Sequence, residues 1–305
     1  MRSFWRSFGP AALGIVAVWL TAFSAGSQVL PSRLVSPDWL ASHYGRVDIR
    51  IVDMRPDIRD YWASHLPGAI YLHPEALRWP EDGVPARLLP VEALTSLLGR
   101  MGIGPSTPVV VYSEKNGFMP LYLLWALDYL GHKECALLDG GFDQWKFEGR
   151  FLTQDYPVKI QAVDYPVPDK LRLGVRATAE EVRRSLGTKT VLVDSRAPEA
   201  YTGAKGTWKR HGHLPGAVNR FWNLDLAAGG GWKSAARLRA EYSALGVTRD
   251  KTVIVYCGSG QMSSHTYFVL KYILGFPAVK NYDGGFEEWA NDPEMPIEES
   301  GRGNR

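Results

Sequence analysis

The stretch "VIVYCGSGQMSSHTYFVLKYILG", residues 253–275, holds Cys257, one of only two cysteines in the chain. A β-branched run precedes it, and an apolar stretch with helical periodicity follows the short loop. Ligands of parallel α/β sheets bind beyond the carboxyl ends of strands, which is where this spacing puts the thiol. Gly258 and Gly260 let the loop curl with its N–H groups inward, and a helix beginning near Ser263 would add its positive dipole end. Such a field favours thiolate, so the pattern points to a cysteine nucleophile in an anion cradle. A plainer reading also stands: a free cysteine ending a strand is often only a small buried hydrophobe.

The elements that must position this loop are written twice in the chain. "PVVVYSEKNGFMPLYLLWALDYLG" (108–131) matches "TVIVYCGSGQMSSHTYFVLKYILG" (252–275), and "LLDGGFDQW" (137–145) matches "NYDGGFEEW" (281–289), both at a separation of 144 residues. "HLPGAI" recurs as "HLPGAV", and "IVDMR" recurs as "LVDSR", in the same order. The unit is too long for a solenoid, so this is a duplicated domain. Each half alternates Val/Ile-rich strands with helices, which predicts an α/β fold with a mostly parallel sheet covered by helices on both faces. The duplication sharpens the reading of Cys257. Its mate is Ser113, followed by Glu114, where a hydroxyl is a poor nucleophile and a carboxylate repels an anion. His65 and His213 are mates as well, and that symmetry argues for a role in the fold.

The chain divides into an N-terminal segment (1–30), an N-terminal domain (36–153), a linker (154–173) and a C-terminal domain (174–300). The linker is interrupted by prolines and is expected to run extended over the surface. In the first segment Arg2 and Arg6 precede an apolar run from Pro10 to Phe23 and then "SAGSQ". This predicts an export signal cut near Gly26 and a periplasmic protein, with an uncleaved membrane anchor as the alternative. No other membrane contact is expected. The 305 residues are 45% hydrophobic and 22% charged, with a net charge of +3 that is too small and dispersed for nucleic acid. Cys135 lies in "KECALLDGG", a strand-like segment before a turn, and Cys257 in the matching half before its loop, so each is explained separately and no disulfide is expected. No cluster of His, Cys and carboxylates suggests a metal.

The paired "HLPGA" segments, the "VYCGSG" strand and loop, and "NYDGGFEEW" together resemble the two-domain rhodaneses, over residues 36 to about 298. The resemblance implies tandem α/β domains with the active cysteine in the second. It implies a sulfurtransferase in which Cys257 takes sulfane sulfur from a small-molecule donor, thiosulfate or 3-mercaptopyruvate, becomes a persulfide, and passes the sulfur to a thiol, cyanide or a protein thiol. No cofactor is needed. The implied substrate contacts are Gly258, Ser259, Gly260, Gln261, Met262 and Ser263, with Arg196 and Arg210.

Two positions depart from the family pattern. "CGSG" is similar to the mercaptopyruvate type, whereas "SSHTYFVLKYILG" and "NYDGGFEEW" look more like the bacterial thiosulfate type. Thiosulfate types carry a cation in the loop, many bacterial ones an arginine at the place of Met262, and here the loop is uncharged. The family's substrate arginine four residues after Arg196 is Ala200. Arg196 is expected mainly to pair with Asp194, and Lys205, Lys209 and Arg210 could supply the missing charge or simply be a solvated loop. Trp79, Trp222 and Trp232 are expected to line the interdomain cleft or to pack the interface. Cysteine phosphatases share this topology, but their loop arginine falls at Ser263 here, leaving nothing bidentate for a phosphoryl group. A non-catalytic persulfide carrier serving a partner protein is the remaining alternative.

Overall fold

A computed structural model describes residues 29–46, 48–157 and 160–299. The predicted export segment therefore lies outside the described residues, save for its last two. The N-terminal half runs β1 (Leu34–Val35), α1 (Pro37–Ala41), β2 (Arg50–Asp53), α2 (Ile58–Ala63), β3 (Ala69–Tyr71), β4 (Arg78–Glu81), β5 (Val84–Leu88), α3 (Val91–Arg100), β6 (Val109–Tyr112), α4 (Met119–Tyr129), β7 (Cys135–Leu138) and α5 (Gly141–Phe147). The C-terminal half runs α6 (Ala179–Ser185), β8 (Val191–Asp194), α7 (Pro198–Tyr201), β9 (Val218–Asn219), α8 (Ala235–Ala244), β10 (Val253–Tyr256), α9 (Gln261–Phe268), β11 (Val279–Tyr282) and α10 (Gly285–Asn291).

Two parallel sheets result, ordered β1-β7-β6-β2-β3 and β11-β10-β8-β9. Their central strands, β6 and β10, are buried along their whole length, as continuous Val/Ile runs require when helices cover both faces. The antiparallel hairpin of β4 and β5 breaks the parallel pattern. It turns at Asp82 and Gly83, both with positive φ. The Asp-Gly pair is a hairpin signal legible in the sequence.

The halves meet through α4 and α9, the helices that follow Ser113 and Cys257. One apolar core runs across this contact, from Leu121, Leu124 and Trp125 to Tyr267, Phe268 and Leu270. The described part of the linker carries no regular element until a short 3-10 turn at Leu173–Val175, and it returns to the first half. Val163 N donates to Gly99 O at 2.9 Å, and the ring of Tyr165 is buried beside His132. Among the described residues no helix is long and apolar enough to cross a membrane.

Candidate active site

Cys257 follows β10 directly and is 1% exposed. The helix behind it starts at Gln261, two residues earlier than the sequence suggested, so its first turn belongs to the loop. Three carbonyls of the loop are turned away from its centre by specific donors. Phe286 N and Glu287 N, at the start of α10, take Cys257 O and Gly258 O at 2.8 and 2.9 Å. Asn281 Nδ2 takes Gly260 O at 3.0 Å. With these carbonyls facing outward, no group among the described residues accepts from the backbone N–H of residues 258 to 263. The result is a run of donors without a protein acceptor directly after the cysteine, at the positive end of a helix.

Two glycines make that curl possible. Gly260 has φ +84, and a Cβ there would lie 2.7 Å from Asp283 Cα. At Gly285, with φ +59, a Cβ would meet Gly258 O at 2.6 Å and Cys257 O at 2.7 Å. The "DGG" of the second repeat is therefore the seat on which the cysteine loop rests.

The matching loop in the first half is closed differently. Gly117 N bonds back to Glu114 O at 3.2 Å, and Asn116 spans from Asp139 to Gly230 O of the other half. Burial raises the pKa of the Glu114 carboxyl there.

The rhodanese-like domain model matches residues 36–148 and again residues 178–292. The chain belongs to the rhodanese-like family. Among curated relatives of this rhodanese tandem, the sulfur carrier protein TtuD of Thermus thermophilus is 38% identical over 279 residues, covering 88% of this chain and 96% of that protein. The thiosulfate sulfurtransferase of Pseudomonas aeruginosa is 34% identical, covering 87% of this chain and 96% of that one. The thiosulfate sulfurtransferase of Corynebacterium glutamicum is also 34% identical, with 88% and 91% covered. Among solved structures, wild-type EanB superposes with a TM-score of 0.79 at 24% identity, over 88% of this chain and 69% of that one. YnjE gives 0.79 and 24%, over 89% and 69%. These structures share the fold.

Within this rhodanese site the loop residues foreseen from sequence come together, each differently engaged. Ser259 and Met262 are half-buried, while Gly258, Gly260 and Ser263 are buried. Gln261 Nε2 reaches across to Glu75 Oε1 of the first half at 3.1 Å. Ser263 Oγ lies 3.5 Å from Cys257 Sγ.

The two arginines offered as substrate contacts are both held by other partners. Arg196 forks onto Asp194 and donates to Gly212 O, under the ring of Phe286. Its mate Arg55 makes the same fork onto Asp53 under Phe142, so this is a feature of both halves. Burial lowers the Arg196 pKa, but the Asp194 hydrogen bonds and charge raise it overall, and Cys257 is within its electrostatic reach. Arg210 is spent on the carbonyls of Trp289, Ala290, Asp292 and Met295, capping the end of α10. Lys205 and Lys209 are exposed, and among the described residues neither has a carboxylate partner.

Trp208, between those lysines, was not foreseen. Its ring would lie 3.0 Å from a Cβ on Gly258, so it fills the place a loop side chain would take. Asn281, Asp283 and Tyr122 were also missed. Asp283 accepts from Arg176 at 2.8 and 3.0 Å and from Leu88 N at 3.2 Å, tying the turn under Gly260 to the hairpin of the first half. Tyr122 of α4 has a buried hydroxyl with no partner among the described residues, its pKa raised by burial and then by Asp283, Cys257 contributing less.

Trp222 packs edge-on against Phe118 across the domain contact and against His265 of its own half, and Trp232 packs on His265 and Phe268. Trp79 is 57% exposed on the hairpin. His65 and His213 stack on Tyr61 and Tyr201 and bond those tyrosines' carbonyls, a matched structural pair. Both cysteines are free, and among the described residues no group of three His, Cys, Asp or Glu could hold a metal.

Proposed function

We propose that this chain is a thiosulfate-type sulfurtransferase that carries sulfane sulfur on Cys257. The observation that carries the reading is the set of N–H donors of residues 258 to 263, without an acceptor among the described residues, between Cys257 and the first turn of α9. The Cys257 thiolate attacks the outer sulfur of thiosulfate. The S–S bond of the donor breaks with its electron pair leaving on sulfite, and a new S–S bond forms on Cys257. The persulfide's outer sulfur is negative and suits a cradle of N–H groups. An acceptor thiolate or cyanide then attacks that sulfur, returning the electron pair to Cys257 as thiolate.

Support for thiosulfate as donor comes from the relatives that bear that name. 3-Mercaptopyruvate is the runner-up, on the strength of "CGSG". A persulfide carrier is a second reading, favoured by the relative named a sulfur carrier and by a loop that has no charge. Export to the periplasm is part of the proposal and rests on Arg2, Arg6 and the run Pro10 to Phe23.

Intact-protein mass spectrometry after thiosulfate is the deciding experiment. One added sulfur, removed by cyanide and absent from Cys257→Ser, is the expected result. Thiocyanate released in many equivalents distinguishes an enzyme from a carrier, which would stop at one. Sulfur transfer persisting in Cys257→Ser would overturn the assignment.

A further inference from the structure

Behind the cysteine loop lies a buried polar pair whose place in the inactive half is apolar. Ser263 and Asn281 are fully buried. Their mates are Met119 and Leu137, and Leu137 sits in the apolar core. The pair therefore accompanies the cysteine and is not a requirement of the fold.

Its orientation follows from its neighbours. Gly260 O can only accept, so the nitrogen of the Asn281 amide faces it at 3.0 Å. The amide oxygen then faces Ser263 Oγ at 2.7 Å, the shortest of that hydroxyl's contacts, with Gly260 O lying at 3.1 Å, and takes its proton in a hydrogen bond. Ser263 Oγ is left 3.5 Å from Cys257 Sγ with a lone pair available to an S–H. A single rotation about the Cβ–Oγ bond would redirect the hydroxyl proton to a thiolate.

We infer that Asn281 is a positioning residue that aims the Ser263 hydroxyl at Cys257, and that this hydroxyl donates to the sulfur whenever the sulfur is charged. The inference rests on Cys257 being the nucleophile. No proton changes owner; the hydroxyl leaves the Asn281 oxygen for the thiolate and returns when the thiol or the disulfide-like sulfur of the persulfide needs no donor. The backbone cradle serves the outer sulfur, and Ser263 serves the inner one. Other groups face the same region: Arg196 held on Asp194, Tyr122 from α4, Asp283 with Arg176 behind Gly260, and Glu75 beyond Gln261, whereas His265, two residues along α9, packs against Trp222 and Trp232. All are unchanged in the variants that test the idea.

The experiment is the pH dependence of Cys257 alkylation by iodoacetamide, located by mass spectrometry, in the full chain. Ser263→Ala is expected to move the profile to higher pH, with alkylation about three- to tenfold slower at neutral pH and converging with wild type in alkali. Ser263→Thr keeps a hydroxyl and is expected to restore most of the rate. Asn281→Asp holds the hydroxyl proton and adds negative charge beside the sulfur, so it should shift the profile further than Ser263→Ala. The KM for thiosulfate should stay near wild type in Ser263→Ala while kcat falls. A Ser263→Ala profile that superimposes on wild type overturns the inference, and so does equal slowing in Ser263→Ala and Ser263→Thr. If the Asn281 variant does not fold, the serine pair alone decides. Failure of the nucleophile assignment would look different: Cys257→Ser would still transfer sulfur.

Discussion

Asp128 and Tyr272 occupy the same position in the two halves of the chain, and they meet. The Tyr272 hydroxyl donates to the Asp128 carboxylate, which also accepts from Tyr267 at 2.5 Å and from Arg172 of the linker. Two mates in contact mark a pseudo-twofold axis through the packing of α4 on α9.

Asp128 is buried to 1% at that axis, so its removal strands two phenols and an arginine. Asp128→Ala is expected to cost about 3 kcal/mol. Urea unfolding would show it, and cleavage by protease in the linker should become faster. A change below about 1 kcal/mol would mean that the apolar contact alone holds the halves together.

The cysteine loop should be more sensitive to a methyl group than the fold is. Gly260→Ala places an alanine at φ +84 with its Cβ against Asp283, for an expected loss of about 2–4 kcal/mol together with sulfur transfer. Gly216 supplies the control. Its φ is +72 and nothing lies within 4 Å of an added Cβ, so Gly216→Ala should lose about 1 kcal/mol and keep full activity.

Acid should act through His265. Burial, only partly offset by the Asn116 carbonyl, lowers its pKa from 6.5 to about 3. Between those values the unfolded chain binds a proton that the folded one refuses. Stability is therefore whole above about pH 6.5 and falls on acidification towards about pH 3, by about 1.4 kcal/mol per unit at most. His265→Leu copies the mate, Leu121, and should flatten this limb of a denaturation series. An unchanged acid limb would assign the loss to other groups.

Lys205 and Lys209 are the exposed cations flanking Trp208, and Trp208 closes on Gly258. If they draw an anionic donor to the loop, the Lys205→Ala, Lys209→Ala double variant should raise KM for thiosulfate about two- to fivefold at low ionic strength. The effect should vanish in high salt. A salt-independent change would point to altered packing of the loop instead.

The architecture was legible because it is written twice. Matched strands such as "PVVVY" and "TVIVY" gave two parallel sheets, and the Cys257–Ser113 mismatch named the half with a cysteine at the loop position. What escaped were roles set by partners distant in sequence. Arg210 reads as a free cation in a basic loop, yet its acceptors are carbonyls at residues 289 to 295, invisible until α10 is folded. Asn281 reads as one more residue of a strand. A comparison with its mate, Leu137, would have flagged it, because a buried amide replacing a leucine must have something to bond.

The two halves also exchange loops. The hairpin of the first half bonds Asp283 beneath the cysteine loop through Leu88 N, and Gly230 of the second half accepts from Asn116 beside the Ser113 loop. Each domain thus completes the other's floor, as subunits do in an obligate heterodimer. Fusion into one chain keeps such a pair at high effective concentration. The half that carries Ser113 is then a permanent partner subunit, without which the half that carries Cys257 would expose α9 and lose the clamp on Asp283.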